Sequence, residues 1–464
     1  MRFRAWFRTS RFDACGDAGQ QLKQTLSVWH LAAIGIGCMV GVGIFVLPGV
    51  EAAQHAGPGI VLSFLLAALA VSFAALAYAE LAAMLPIPGG AYAYSYATLG
   101  ELPAWLVGWT LLLEYQVAGA MVSIGWSAYL VHLLQSFGIA LPHQLTASPF
   151  DGQAGLVNLP AILIVWLVTL VTASGVRESA QLTLVLVVIK VVAVVIFLGE
   201  SIGHIDPVNW SPFLPFGFNG VLTAASVAFI AFGGFEAMTT AAAEAKDPQR
   251  DIPRALLLSL VVVAVAYMAV ALAMTGVVPF HLLDVADPMV VVLTAAQHPW
   301  VARMISSAAL FGIASVLLAL FVAQPRILFA MAHDGLLPKQ LAQVHPRLGT
   351  PLAATLLNGG LISLCAGFLP IQAVAELCSV GFLSACLATC LAVLVLRTRQ
   401  PERFRPFKVP KAMVVLPLGV ATYAGMLSML PAATQQRYAV WTLIGAVVWL
   451  LYGRRSSRLA QTPG

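Results

Sequence analysis

AAIGIGCMVGVGIFVLPGV, residues 32–50, is apolar enough to cross a bilayer, yet it carries Gly35, Gly37, Gly41, Gly43 and Pro48. Glycine costs about 1 kcal/mol relative to alanine in a helix interior. Gly37 and Gly41, four residues apart, fit close packing between helices, but five breakers in one span point to an interrupted helix. SVAFIAFGGFEAMTTAAAEA, residues 226–245, repeats the pattern, with Gly233 and Gly234 adjacent and Glu236 just after them. Unwound backbone at membrane depth survives only where it is buried in protein or lines a cavity.

Working outward, the whole chain reads as integral membrane protein. It has 464 residues, of which 60% are hydrophobic and 9% charged, against about 25% charged in soluble domains. Stretches of about 20 apolar residues each span the hydrocarbon core as a helix. Twelve are expected, near 28–49, 60–84, 101–135, 156–175, 179–199, 217–243, 254–278, 303–333, 352–369, 371–396, 411–430 and 436–453. With both termini cytoplasmic, 21 of the 24 Lys and Arg fall on the inner side, Arg303 and Arg437 on the outer, and Lys190 within a span. That split is what the positive-inside rule demands, so the count of twelve is firmer than any boundary.

Interruptions opening each half of such a chain are the sequence sign of an inverted-repeat carrier. Residues 28–199 would form one five-helix repeat, 217–396 the second, and 411–453 two added helices between cytoplasmic tails at 1–27 and 454–464. Free N–H groups at the start of a half-helix hold a carboxylate, and the carbonyls ending the preceding half hold an ammonium. Together they suit a zwitterionic amino acid. Lys190, inside LTLVLVVIKVVAVVIFL at 182–198, is the anomalous cation. A lysine at mid-bilayer costs roughly 2.5–3.5 kcal/mol on insertion scales, so it must face a partner or a watered cavity. Desolvation disfavours an ammonium, which makes it a candidate for loading and releasing a proton. A purely structural tether from span five to span one or eight is the other reading.

Glu114 is a second intramembrane charge, either part of the substrate vestibule or bonded to neighbouring helices. Glu236 is placed to cap a half-helix or to meet a substrate amine. Glu80 and Glu376 are expected at span ends, in contact with the interface or solvent. Phe229, Phe232 and Phe235 flank the second break, and Phe232 is the expected ring over bound substrate. Trp105, Trp109, Trp300 and Trp441 read as interfacial anchors. The six cysteines lack metal-ligand spacing, so no metal or cofactor is expected. The basic loops follow from topology, so no nucleic-acid partner is expected. MRFRAWFRTSRF at the start is basic and aromatic without a cleavable-signal core; it reads as a positive-inside tail or a short surface helix.

GIGCMVGVGIFVLPG at 35–49 and FIAFGGFEAMTTAAAEAKDPQRDIPRAL at 229–256 resemble the signatures of the amino acid–polyamine–organocation (APC) superfamily, and most nearly the cationic amino acid transporter family and its bacterial relatives. AELAAMLPIPGGAYAYSYATLGELPAWLVGWTLLLEY at 79–115, QPRILFAMAHDGLLP at 324–338, FRPFKVP at 404–410 and WTLIGAVVWLLYG at 441–453 extend the resemblance over nearly the whole chain from about residue 22. The resemblance implies an all-α LeuT-like fold of 12 transmembrane helices, five plus five inverted, with helices 1 and 6 broken, and alternating-access amino acid transport. It implies a substrate loop of Met39, Val40, Gly41, Val42 and Gly43, and a second of Phe229, Ile230, Phe232, Gly233 and Gly234. It places Lys190 at the fifth-helix lysine of proton-coupled members, where an ammonium stands in for sodium. Val42 departs from a common Thr or Ser, His333 from Arg or Ser, and Ala243 from the first of a Glu pair.

The leading expectation is proton-coupled amino acid uptake in a bacterial inner membrane, with protons, the substrate and the bilayer as partners. An accessory membrane subunit is left open. Amino acid/polyamine exchange, a sodium-driven carrier and a membrane nutrient sensor are the alternatives. A membrane enzyme lacks the nucleophile–base pair it would need.

Overall fold

The computed structural model describes residues 26–457 apart from 87–88, 151–154, 175, 241–244, 286, 347 and 349. The basic N-terminal tail, Ala243 and the end of the C-terminal tail lie outside these residues. The described chain is helical, with two isolated β-bridges, Leu26 with Ala245 and Thr146 with Asn158.

The first glycine-rich run is divided. Helix α1 (Val28–Met39) ends at Val40 and Gly41, a four-residue turn of helix α2 (Val42–Phe45) follows, and α3 (Leu47–Glu51) begins after Val46 leaves helical geometry. A wide turn at Ala52–Ala56 and Gly57, at φ 59°, lead into α4 (Ile60–Met84). That positive φ suits glycine alone at no cost. Short α5 (Gly90–Thr98) precedes α6 (Glu101–Ser136), followed by α7 (Leu159–Ser174) and α8 (Val176–Ile202).

The second run breaks too. Helix α9 (Gly217–Ala231) stops, residues 232–236 form turns with Gly234 at φ 98°, and α10 (Ala237–Thr240) resumes. Then come α11 (Pro248–Val277), α12 (Pro288–Ala295) and α13 (Pro299–His333), each opened by a proline, whose missing N–H is no loss in a first turn. Helices α14 (Leu352–Phe368), α15 (Ile371–Arg399), α16 (Ala412–Met429) and α17 (Ala432–Val448) complete the bundle.

Among the described residues, seven helical stretches are long and apolar enough to cross a membrane, and α1, α7, α9 and α14 are shorter apolar helices. Helix α11 packs on α1 and α4, and α4 on α9; α6 packs with α7, α13, α14 and α15. The breaks after α1 and α9 face this second group.

Three expectations need correction. Glu80 is not interfacial: it is wholly buried and ion-paired to Arg397 and Arg405. Trp105 is buried, donating its ring N–H to Gly445 O at 2.8 Å. Trp109 and Trp441 stack at 4.7 Å and each donates to the other's carbonyl. An indole near a span end anchors as well to a neighbouring helix as to headgroups when both its faces are covered. Trp300 remains exposed.

Candidate functional site

The two helix breaks enclose a cavity of about 140 Å³. Cys38, Met39, Gly41, Val42 and Gly43 wall it from the first break, and Ile230, Ala231, Gly233, Gly234 and Glu236 from the second. Helix α6 contributes Glu114, Tyr115, Ala118, Met121 and Val122, α13 Val316 and Leu320, and α15 Ala375, Cys378 and Phe382. The wall is mostly aliphatic, with polar groups concentrated at Glu114, Tyr115 and Glu236. A cavity of roughly 150 Å³ accommodates a benzene-sized body, which is the scale of an aliphatic side chain.

Of the residues expected in the site, Met39, Gly41, Val42, Gly43, Ile230, Gly233, Gly234, Glu236 and Glu114 line this cavity. Val40 is buried at the break itself. Phe229 packs on Phe382 at 4.9 Å, and Phe232 on Tyr267 at 5.3 Å. Neither ring lines the cavity; Phe382 does, along with Tyr115, and nothing in its apolar span marked it.

Glu236 is held from two sides. One oxygen accepts the Gly234 N–H at 3.0 Å and the other the Tyr115 hydroxyl at 3.4 Å. Glu114 is buried with Oε2 lacking a hydrogen-bond partner. A Cβ at Gly381 would sit 2.5 Å from the Glu114 Cβ, so glycine there lets α15 close on α6. An unsatisfied buried carboxylate oxygen is costly, and here it borders the cavity, where a donor from a ligand can reach it.

Lys190 is wholly buried beside the first break, not in the cavity wall. Its ammonium donates to the Gly37 carbonyl and to Ser315 Oγ at 2.7 Å, and the Ser315 hydroxyl in turn donates to Gly312 O at 2.7 Å. The lysine thereby ties α8 to α1 and α13. A Cβ at Gly37 would lie 2.7 Å from Val187, and one at Gly312 3.1 Å from the Lys190 Cβ. The two glycines let three helices converge around one cation.

Tyr267 of α11 was not legible as a site residue. Its buried hydroxyl lies 2.9 Å from Met39 O and 3.0 Å from Ala231 O, the carbonyls ending α1 and α9. One proton serves two helix ends that have no continuing turn to satisfy them. The ring is fixed by Phe64, stacked at 4.8 Å. Gly43 makes the approach feasible, since a Cβ there would meet the hydroxyl at 2.3 Å.

Residues 26–452 match the amino acid permease family. The chain is 42% identical over 445 residues to the branched-chain amino acid permease BcaP of Bacillus subtilis, spanning 95% of this chain and 96% of that protein. It is 41% identical over 440 residues to the methylthioribose transporter of the same organism, spanning 95% of each. The vacuolar cationic amino acid transporter 4 of Arabidopsis thaliana is 34% identical over 392 residues, 83% of this chain and 65% of that protein.

Proposed function

The chain belongs to the amino acid permease family of the APC superfamily, and from that premise we propose that it is a proton-coupled amino acid uptake carrier working by alternating access. The observation that carries this reading is the cavity between two interrupted helices, bordered by glycine backbone from both. A substrate carboxylate and ammonium can meet main-chain groups there, while the aliphatic wall takes the side chain.

In this reading the LeuT-like fold has twelve spans: α1–α3 together, α4, α6, α7, α8, α9 with α10, α11, α13, α14, α15, α16 and α17. Residues 28–199 and 217–396 are the inverted repeats, each opening on a broken helix, and 411–453 add two spans. The protein sits in a bacterial inner membrane with both termini cytoplasmic, as the positive-inside count supports. Lys190 takes the proton, and its hold on Gly37 and Ser315 changes the balance between two arrangements of the broken helices. Glu114 shares in that coupling.

The substrate is a small to medium apolar amino acid. The aliphatic wall favours it, and so does the similarity to a branched-chain permease. Melting temperatures of the purified protein with leucine, isoleucine, valine, alanine, arginine, lysine and methylthioribose test this directly. A ligand at a hundred times its Kd stabilises by about 2.7 kcal/mol, so the apolar amino acids are expected to raise the melting temperature most. A shift confined to arginine and lysine would reassign Glu114 and Glu236 to a cationic side chain. A second reading rests on the methylthioribose transporter relative and on two buried carboxylates able to accept from hydroxyls; a shift with methylthioribose alone would select it.

Tyr267 sets the spacing of the two breaks in this mechanism. Tyr267→Phe keeps the ring and removes the hydroxyl, leaving two buried carbonyls without their donor at about 1–3 kcal/mol. Uptake kinetics are expected to show KM raised roughly thirtyfold in a folded protein, the middle of that range. An unchanged KM would mean that Tyr267 does not set that spacing.

A further inference from the structure

At the end of the bundle read above as outer, α12 packs on α13, α11, α8 and α3. Its lead-in is seated on α3: a Cβ at Gly49 would meet Pro288 at 2.4 Å and the Leu283 carbonyl at 3.2 Å. Gln54, in the turn after α3, donates to Asp284 at 3.0 Å. Leu283, Asp284 and Pro288 therefore sit against the second half of the first broken helix and the turn after it. Across from it a cleft of about 510 Å³ separates α12 from the end of α6, lined by His132, Val285, Asp287, Val290, Val291 and Thr294. Among the described residues one contact crosses that cleft, His132 Nδ1 to Asp287 Oδ2 at 2.8 Å, an ion pair when the imidazole is protonated.

We propose that His132 and Asp287 form an acid-strengthened latch that holds α12 and α3 against α6 when the outer face is closed. The proposal takes its sidedness from the carrier reading; the contact itself does not depend on transport. Histidine changes charge between pH 5 and 8, so acid converts the contact to a full ion pair. Burial pushes the Asp287 carboxyl above its usual range, and the facing imidazolium opposes this. An ion pair needs a charged imidazole facing an ionised carboxylate, so the contact strengthens as pH falls into the histidine range and weakens as pH rises.

The neighbouring carboxylates are engaged elsewhere. Tyr129, one turn earlier on α6, donates to Phe45 O at 3.2 Å. Glu51 pairs with His55 at 3.0 Å beside α3, Asp284 takes the Gln54 amide, and Glu200 of α8 pairs with His298 before α13 at 3.4 Å. His281 precedes the lead-in, His204 stacks on His298, and Arg303 lies at the start of α13.

Spin labels at Gln135→Cys on α6 and Ala295→Cys on α12, in a background with native cysteines replaced, read the cleft directly. The full-length protein in nanodiscs is measured at pH 5.5 and 8. The short-distance population is expected to fall roughly two- to fivefold relative to the long one as pH rises, the range commanded by one partly exposed ion pair. His132→Gln should hold the pH 8 distribution at both pH values and His132→Lys the pH 5.5 distribution at both. Wild-type pH response in either variant overturns the latch. An amino acid thermal shift retained by His132→Gln shows a folded site. A shift missing from the parent protein would count against the carrier reading and leave the distance result to judge the latch.

Discussion

Lys190→Ala is expected to abolish accumulation driven by an inward pH gradient. For one proton per substrate, a gradient of two pH units supports roughly a hundredfold accumulation, tenfold for each 1.4 kcal/mol. The variant should instead bring internal substrate to about the external level. The Lys190 ammonium is the donor to Gly37 O, just before the break in α1, and to Ser315 Oγ on α13. Without it the broken helix keeps its packing on α8 and α13 but loses the polar, proton-dependent link to them. The cavity wall is untouched, because Lys190 does not line it. Substrate-induced thermal stabilisation and counterflow should therefore persist while concentrative uptake is lost. Wild-type accumulation in Lys190→Ala would sink the coupling role and leave the lysine as a tether.

The glycines announced that something approaches the first span, but not which residue leaves the helix. Gly35 and Gly37 remain in α1 and make room for neighbours, Gly35 for Met238 and Ser259, Gly37 for Val187. The break comes at Val40 and Gly41. Glycine signals close approach and lost helix propensity alike, and a sequence does not separate the two. The second break was legible because two glycines are adjacent, and Gly234 takes the positive φ that other residues avoid.

Phe382, Ser315 and Tyr267 were not legible, for a common reason. Helices apolar on every face carry no periodic stripe to say which side turns inward. A phenylalanine in α15 or a tyrosine in α11 then looks like core. Lys190 and Glu114 stood out because a charge is rare at that depth. Their partners did not, since Gly37 and Ser315 lie 153 and 125 residues from Lys190.

Glu80→Ala is expected to cause a large loss of stability, about 3–5 kcal/mol, the cost of breaking a buried ion pair by removing one partner. Glu80 closes the inner end of α4 against α15 and the loop before α16. It accepts Arg397 Nε at 3.0 Å, the Val409 N–H at 2.8 Å, and has Arg405 Nε 3.3 Å away. Arg405 keeps carbonyl acceptors at Pro401, Arg403 and Gln400, each within 2.9 Å, but these supply no counter-charge. The alanine variant thus leaves two guanidinium groups and a backbone donor facing an apolar gap. Glu80→Gln keeps the shape and one acceptor, so it should fall between the two. Glu376→Gln supplies the scale: its contact with half-exposed Arg437 is 3.7 Å long, and exposed pairs contribute about 0–1 kcal/mol. Melting temperatures in detergent should rank wild type and Glu376→Gln together, Glu80→Gln below them and Glu80→Ala lowest. Equal melting of Glu80→Ala and wild type would mean that Arg397 and Arg405 are hydrated rather than held by Glu80. Because the cluster fastens α4 to α15, helices from the two packed groups that flank the cavity, a surviving Glu80→Gln protein should also transport more slowly with its KM unchanged.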